Sequence, residues 1–256
     1  MPPSEQPERP DDALSSLWSI DRVIDSWRVH DGTVIGMRAH AARFEDAVED
    51  VFVSRMAIPA DPPWEDIWAS VAAATPAEGE FFPRMTAALG EDGDRLKIEH
   101  ELRRAPERRP TTSLAVAPDT RTHPTVKGAD LETLASLREV AVELGDDDAL
   151  LVDDRGNIVE AANGAILAWR DGQLVRPASE RLLPSVTVVV LTGLLRRRGE
   201  DLRRVRIRLE DADELWYVNA LHGISPVRSV DGEERPVDEA RAARWQATLE
   251  AQRQPL

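Results

Sequence analysis

The stretch His123-Pro124-Thr125-Val126-Lys127-Gly128-Ala129-Asp130-Leu131 decides how the chain is read, because it sets a lysine just ahead of a helix. The sequence holds 32 Lys plus Arg, yet its only lysines are Lys97 and Lys127, so nearly every cation is arginine. Arginine stays protonated at any working pH, whereas a buried lysine amine can lose its proton and attack a carbonyl carbon. A leftover surface lysine is the plain alternative, and the sequence around Lys127 has to decide between them.

Downstream, Leu131, Leu134, Leu137, Ala141 and Leu144 are spaced for one buried helical face, and Gly145 ends the helix. Residues 149–152 read as a short buried strand, 153–157 as a turn, and Ile158-Val159 as a second strand that delivers Glu160. A hairpin follows, with Asp171-Gly172 between residues 166–169 and 173–175. Ser185 is placed to cap an apolar helix over 188–195, whose free N–H groups and positive dipole end make a ready phosphate site. Strands are expected over 203–209 and 215–218, the second ending in Asn219-Ala220-Leu221, and a last helix over 237–252.

Upstream, Asp31-Gly32 sits between two short strands and favours a hairpin turn. Phe44, Val48, Val51, Phe52 and Met56 share one face of a helix expected over 39–56, stopped by Pro59, with Arg43 beside the stripe. A second helix is expected over 64–74 and a hairpin over 81–89 and 96–102, turning at 91–94. Residues 103–123, rich in Pro, Arg and Thr, read as a connection. The expected organisation is a disordered lead-in (1–12), a smaller α+β domain (13–105), an interdomain connection (106–124) and a larger C-terminal domain (125–256).

Composition excludes several classes. With 42% hydrophobic and 31% charged residues the chain describes a soluble globular protein, and no apolar run has the length of a membrane span. A net charge of −15 argues against a nucleic-acid partner, since phosphate binding needs a basic face. The absence of cysteine removes disulfides, thiolate nucleophiles and Cys-ligated zinc, and the five histidines show no paired ligand spacing, so no metal is expected. No signal peptide is apparent, and a cytoplasmic setting is the default.

Taken in order, the lysine before a helix, the carboxylate at a strand hairpin, the Ser/Thr helix start and Asn219-Ala220-Leu221 resemble the class IV aminotransferases. These are the fold-type IV pyridoxal-phosphate enzymes, which include branched-chain and D-amino acid aminotransferases and aminodeoxychorismate lyases. His40-Ala41-Ala42-Arg43-Phe44 matches their His-x-x-Arg-Leu/Phe helix start. The resemblance implies a two-domain α+β / α/β fold with pyridoxal 5'-phosphate in the interdomain cleft, and a homodimer. It implies that Lys127 forms the Schiff base and moves the proton, that Glu160 holds the pyridine nitrogen, and that Arg43 clamps the phosphate. Ser185, Val186, Thr187, Asn219 and Ala220 fall where the family contacts that phosphate. Arg84, Arg109 and His222 are the substrate-side candidates, an arginine being needed for any substrate with two carboxylates.

The implied activity is transfer of an amino group between an amino acid and a keto acid. The alternatives are a 4-amino-4-deoxychorismate lyase, favoured by Asn219-Ala220-Leu221, and a non-catalytic family member that binds the cofactor or a metabolite. Two departures motivate the last: the family's glycine-rich opening motif is missing, and its usual Ser-Asn pair appears as Gly164-Ala165.

Overall fold

A two-residue turn with both residues at positive φ matches the right-handed twist of paired strands, and the described residues use it at Asp231-Gly232 and at the two sites expected from the sequence. Asp31 (φ 44°) and Gly32 (φ 65°) join β2 (Val29–His30) to β3 (Thr33–Ile35); Asp171 (φ 50°) and Gly172 (φ 72°) join β10 (Ala165–Arg170) to β11 (Gln173–Pro177). The computed structural model describes residues 20–52, 62–90 and 95–256. The expected lead-in, the helix end at Met56 and Pro59, and the turn at 91–94 lie outside the described residues.

The N-terminal part holds two small antiparallel sheets. In one, β1 (Arg22–Ser26) pairs β5 (Arg84–Leu89), which pairs β6 (Leu96–Glu101). In the other, β4 (Glu80–Phe81), β2 and β3 are joined by β16 (Arg253–Pro255), the last strand of the chain. Helix α1 (Met37–Phe52) buries Phe44, Val48, Val51 and Phe52, as their spacing predicts. Together with Trp27, Val29, Met85 and α2 (Trp64–Ala74), they form the first apolar core.

Nine strands of the described residues form the large sheet, in the order β12 (Arg203–Val205), β11, β10, β13 (Glu214–Asn219), β14 (Gly223–Val230), β7 (Thr112–Pro118), β8 (Asp148–Val152) and β9 (Ile158–Ala161), with β15 (Glu233–Glu234) beside β14. The sheet curls so that β9 returns beside β10, joined by the bridge Ala161↔Gly164. Leu114, Leu150, Ile158, Ile166, Tyr217 and Val227 fill the curl. The other side of β10 and β13 packs Trp169, Trp216 and Val218 against α4 (Val186–Arg197) and α5 (Glu239–Glu250).

Four expectations are corrected. The stretch read as a connection contains β7, which lies between β14 and β8 and is parallel to both. Parallel partners come from distant sequence, so a four-residue apolar run flanked by proline gives little local sign of it. Helix α3 (Leu131–Glu143) buries Ala141, but Leu144 lies past its end and is 70% exposed. The strand expected over 203–209 stops at Val205, followed by a single 3-10 turn at Leu209–Asp211. The C-terminal residues close the N-terminal sheet through β16 and Leu256, whose N–H donates to the Gly32 carbonyl at 3.0 Å. No helix among the described residues is long and apolar enough to cross a membrane.

Candidate active site

Lys127 sits in a tight loop between β7 and α3 that is fixed from both ends. The Asp130 carboxylate accepts the N–H groups of Thr122 and His123 and the Thr122 hydroxyl, at 2.7–2.8 Å, which cinches residues 122–130. From the N-terminal part, Ile24 of β1 donates its N–H to the Lys127 carbonyl at 2.8 Å. Gly128 lies beside that contact at φ 106°, where a Cβ would come within 2.9 Å of the Ile24 nitrogen, so only glycine fits.

The Lys127 amine faces a cavity of about 210 Å³ lined from both parts of the chain: Ile24, Arg43, Arg84 and Arg103 from one, Glu160, Val186, Thr187 and Ala220 from the other. Burial lowers the Lys127 pKa to about 8, helped by Arg43 and opposed by Asp25 and Glu160. A lysine in this state is a usable nucleophile near neutral pH.

Arg43 does enter this cavity, but its side fork is committed elsewhere. Its Nε and one Nη donate to Asp25 at 2.8 Å each, and the other Nη donates to the Pro184 carbonyl at 2.9 Å. Asp25 is fully buried and also accepts from His40 Nδ1 and the Ser26 N–H. Burial alone would raise this carboxyl; His40 and Arg43 together hold it well below the usual carboxylate range. Each Nη of Arg43 carries one further N–H beyond these bonds.

Glu160 is presented by β9, opposite Leu151 of β8. It is buried, and Arg121 donates to its Oε2 at 2.7 Å, as does the Leu183 N–H at 3.3 Å. Burial pushes its pKa up to about 7, against the pull of Arg121. Arg121 in turn grips Asp119 through Nε and one Nη, at 2.8 and 3.0 Å, while Arg181 donates to the same Asp119 at 2.8 Å.

Helix α4 begins beside both groups. Ser185 caps it by accepting the Val188 N–H at 3.4 Å, and Val186 and Thr187, in a first turn whose N–H groups have no helical acceptors, line the cavity. Asn219 lines it too, but its side chain serves the scaffold. Its Oδ1 accepts the N–H groups of Leu221 and His222, and its Nδ2 donates to the Asn163 carbonyl and to the Tyr217 hydroxyl.

The substrate-side candidates divide. Arg84 lines the cavity, with its buried Nε lacking a partner among the described residues. Arg109 does not line it; it lies over the Tyr217 ring and pairs with Asp147 at 3.5 Å. His222 is likewise outside, accepting the Arg109 N–H at its Nδ1 at 3.2 Å, and burial and neighbouring arginines lower its pKa to about 4. Arg109 lies in the segment before β7 and His222 in the turn between β13 and β14, and neither is among the residues that line the cavity.

Sequence reasoning missed Asp25, Arg121, Asp119 and Arg103. In a chain with 47 acidic and 32 basic residues, buried charges do not stand out. One signal existed: Asp25 interrupts the apolar run Val23-Ile24-Asp25-Ser26-Trp27. Gly164, by contrast, has a structural reason. A Cβ there would meet the Tyr217 ring at 2.7 Å, and that ring is fixed by its hydroxyl, which donates to Asp148 at 2.8 Å.

The chain has recognisable relatives among known proteins. A branched-chain-amino-acid aminotransferase of Pseudomonas aeruginosa is 28% identical over 108 residues, 41% of this chain and 35% of that enzyme. Matches to curated relatives span less than half of each relative's own length. Among solved structures, a hypothetical aminotransferase from Mycobacterium tuberculosis in PLP-bound form superposes with a TM-score of 0.79 at 19% identity, covering 98% of this chain and 94% of that one. A Legionella pneumophila protein to which 4-amino-4-deoxychorismate lyase activity is ascribed superposes at 0.76 with 16% identity, covering 91% of each. Likeness at these identities establishes the fold, which is that of fold-type IV transaminases. The family Amino-transferase class IV matches residues 22–230, most of the sequence, and the chain belongs to that family.

Proposed function

We propose that the cavity binds pyridoxal 5'-phosphate and that the chain is an aminotransferase, moving an amino group between an amino acid and a keto acid at Lys127. The observation that carries this is the convergence, in one cavity, of three unlike groups: a partly deprotonated lysine, an arginine beside a helix N-terminus, and a carboxylate with one oxygen uncommitted. The donor set suits the cofactor. Arg43 and the Val186 and Thr187 N–H groups would hold the phosphate, Glu160 the pyridine nitrogen, and Lys127 the reactive carbonyl. When bound, the cofactor supplies an electron-accepting ring. Lys127, once free, is the group placed to take and return a proton at the substrate's α-carbon.

Substrate choice is the finer part of the proposal. Arg84 and Arg103 line the same cavity, and burial together with Arg84 lowers the Arg103 pKa. Two neighbouring cations without a full acid partner favour a substrate carrying a second carboxylate. 4-Amino-4-deoxychorismate has one, so a lyase releasing pyruvate and 4-aminobenzoate is the second reading. The homodimer and cytoplasmic setting expected of the family accompany both readings; sedimentation of the purified chain tests the dimer.

The deciding experiment titrates the full chain with pyridoxal 5'-phosphate, records visible absorption, reduces with borohydride and maps the fixed cofactor by peptide mass. Label on Lys127 supports the proposal. Label on Lys97, or none, overturns it in favour of the non-catalytic alternative. Assaying pyruvate release without a keto-acid acceptor then separates the lyase, which turns over repeatedly, from the aminotransferase, which stops after one half-reaction.

A further inference from the structure

Both hydrogen bonds to Glu160 fall on one oxygen, Oε2; among the described residues Oε1 accepts none, and the carboxylate lines the cavity. The residue responsible is Arg121, which is itself 5% exposed and leaves little play, because each of its nitrogens is engaged. Nε and one Nη donate to the two oxygens of Asp119, that same Nη also reaches the Arg181 carbonyl at 2.8 Å, and the remaining Nη holds Glu160. Asp119 is anchored in turn, with its N–H on the Val152 carbonyl at 3.0 Å and with Arg181 as second cation, and Arg181 donates to the Arg121 carbonyl. The ladder Arg181–Asp119–Arg121–Glu160 therefore runs from the rim to the cavity wall.

We propose that Arg121 is a positioning residue: it keeps the Glu160 carboxylate ionised and turns Oε1 into the cavity, with Asp119 fixing the angle of its guanidinium. This rests on the reading that Glu160 receives the pyridine nitrogen, and deepens it. A neutral carboxylic acid there would not hold a protonated ring nitrogen, and a carboxylate free to rotate would offer either oxygen. The charged groups around Glu160 are Arg121, Asp119 and Lys127 from the loop after β7, and Arg176 from β11. Of the cations, Arg121 alone bonds it directly. Burial raises the Glu160 pKa and Arg121 opposes the rise, so loss of Arg121 moves it further up.

The test uses the full chain as Arg121→Gln, Arg121→Lys and Asp119→Asn. The Glu160 carboxyl is titrated by isotope-edited infrared or carbon NMR without cofactor, its signal identified by Glu160→Gln. Arg121→Gln is expected to raise the midpoint by at least one pH unit, Arg121→Lys to restore most of it, and Asp119→Asn to raise it by less than Arg121→Gln, because loss of the two bonds that anchor the guanidinium outweighs loss of a more distant negative charge. With pyridoxal 5'-phosphate present, Arg121→Gln is expected to keep borohydride labelling of Lys127 while turnover at pH 7 falls about fivefold or more and recovers as pH rises. A merely structural role would lower activity evenly across pH. An unchanged midpoint in Arg121→Gln, or a pH-independent loss, overturns the proposal; if that variant does not fold, a midpoint that Asp119→Asn fails to raise does the same. Failure of the wild-type chain to label Lys127 strikes the cofactor reading, whereas the cofactor-free titration judges Arg121 by itself.

Discussion

Two regions of the cavity carry the same ion pair with the roles exchanged. At one, buried Asp25 grips Arg43 and leaves the cation facing the cavity; at the other, buried Arg121 grips Glu160 and leaves the anion facing it. The outcomes differ because the donors are shared unequally. Asp25 accepts from His40, twice from Arg43 and from the Ser26 N–H, and is held ionised far into acid. Glu160 accepts two bonds on one oxygen and is pushed up to about 7. A saturated carboxylate is a scaffold, and a half-saturated one is available for chemistry.

Lys127→Ala would remove the group that stands between the two pairs. Turnover should fall by on the order of 10⁴-fold or more, with circular dichroism unchanged; surviving activity would mean that neither pair serves the lysine. Glu160→Gln keeps the shape of the cavity-facing member but not its charge. A loss of about 10²–10³-fold in kcat is expected, of the size seen when one preorganised electrostatic contact is removed. It also tests the sign of the linkage. A carboxyl raised from 4.5 to about 7 makes the folded state bind more protons than the unfolded chain in that window, so stability falls as pH rises through it. Urea melts at pH 5 and 8 should show that fall in the wild type and a flatter response in Glu160→Gln.

Asp25→Asn strikes the other pair through its scaffold member. Breaking a buried pair should cost about 3 kcal/mol, read by denaturation at pH 7. Here the pH dependence is reversed: a carboxyl lowered from 3.8 contributes stability that is present above that value and lost as pH falls through its folded value. The wild type should therefore lose more stability than the variant on acidification below pH 4. The smallest effect is expected outside the cavity. Because His222 and Arg109 do not line it, His222→Asn and Arg109→Gln should change kcat within about threefold. A larger change with an intact fold would return them to the substrate side.

Legibility in the sequence follows the range of the interaction. Hairpins at Asp31-Gly32 and Asp171-Gly172, and the buried face of α1, are local and could be read directly. Strand β7 could not, because its partners β14 and β8 lie downstream and its run ends in proline. The same division holds in the cavity. Lys127 stood out by rarity of type, and Arg43 and Glu160 by their order in a family pattern. Asp25 and Arg121 are common residue types whose roles arise only from partners 18 and 39 positions away.

Gly164 carries a consequence for how such a sequence changes over time. Its hydrogen faces the Tyr217 ring in space that any Cβ would occupy at 2.7 Å, and the ring is pinned by Asp148 and Asn219. A serine at 164 and a tyrosine at 217 are thus mutually exclusive on this backbone, so a side chain at 164 requires a smaller residue at 217. The glycine at 164 is thereby accounted for by packing, against the ring of the only tyrosine in the chain.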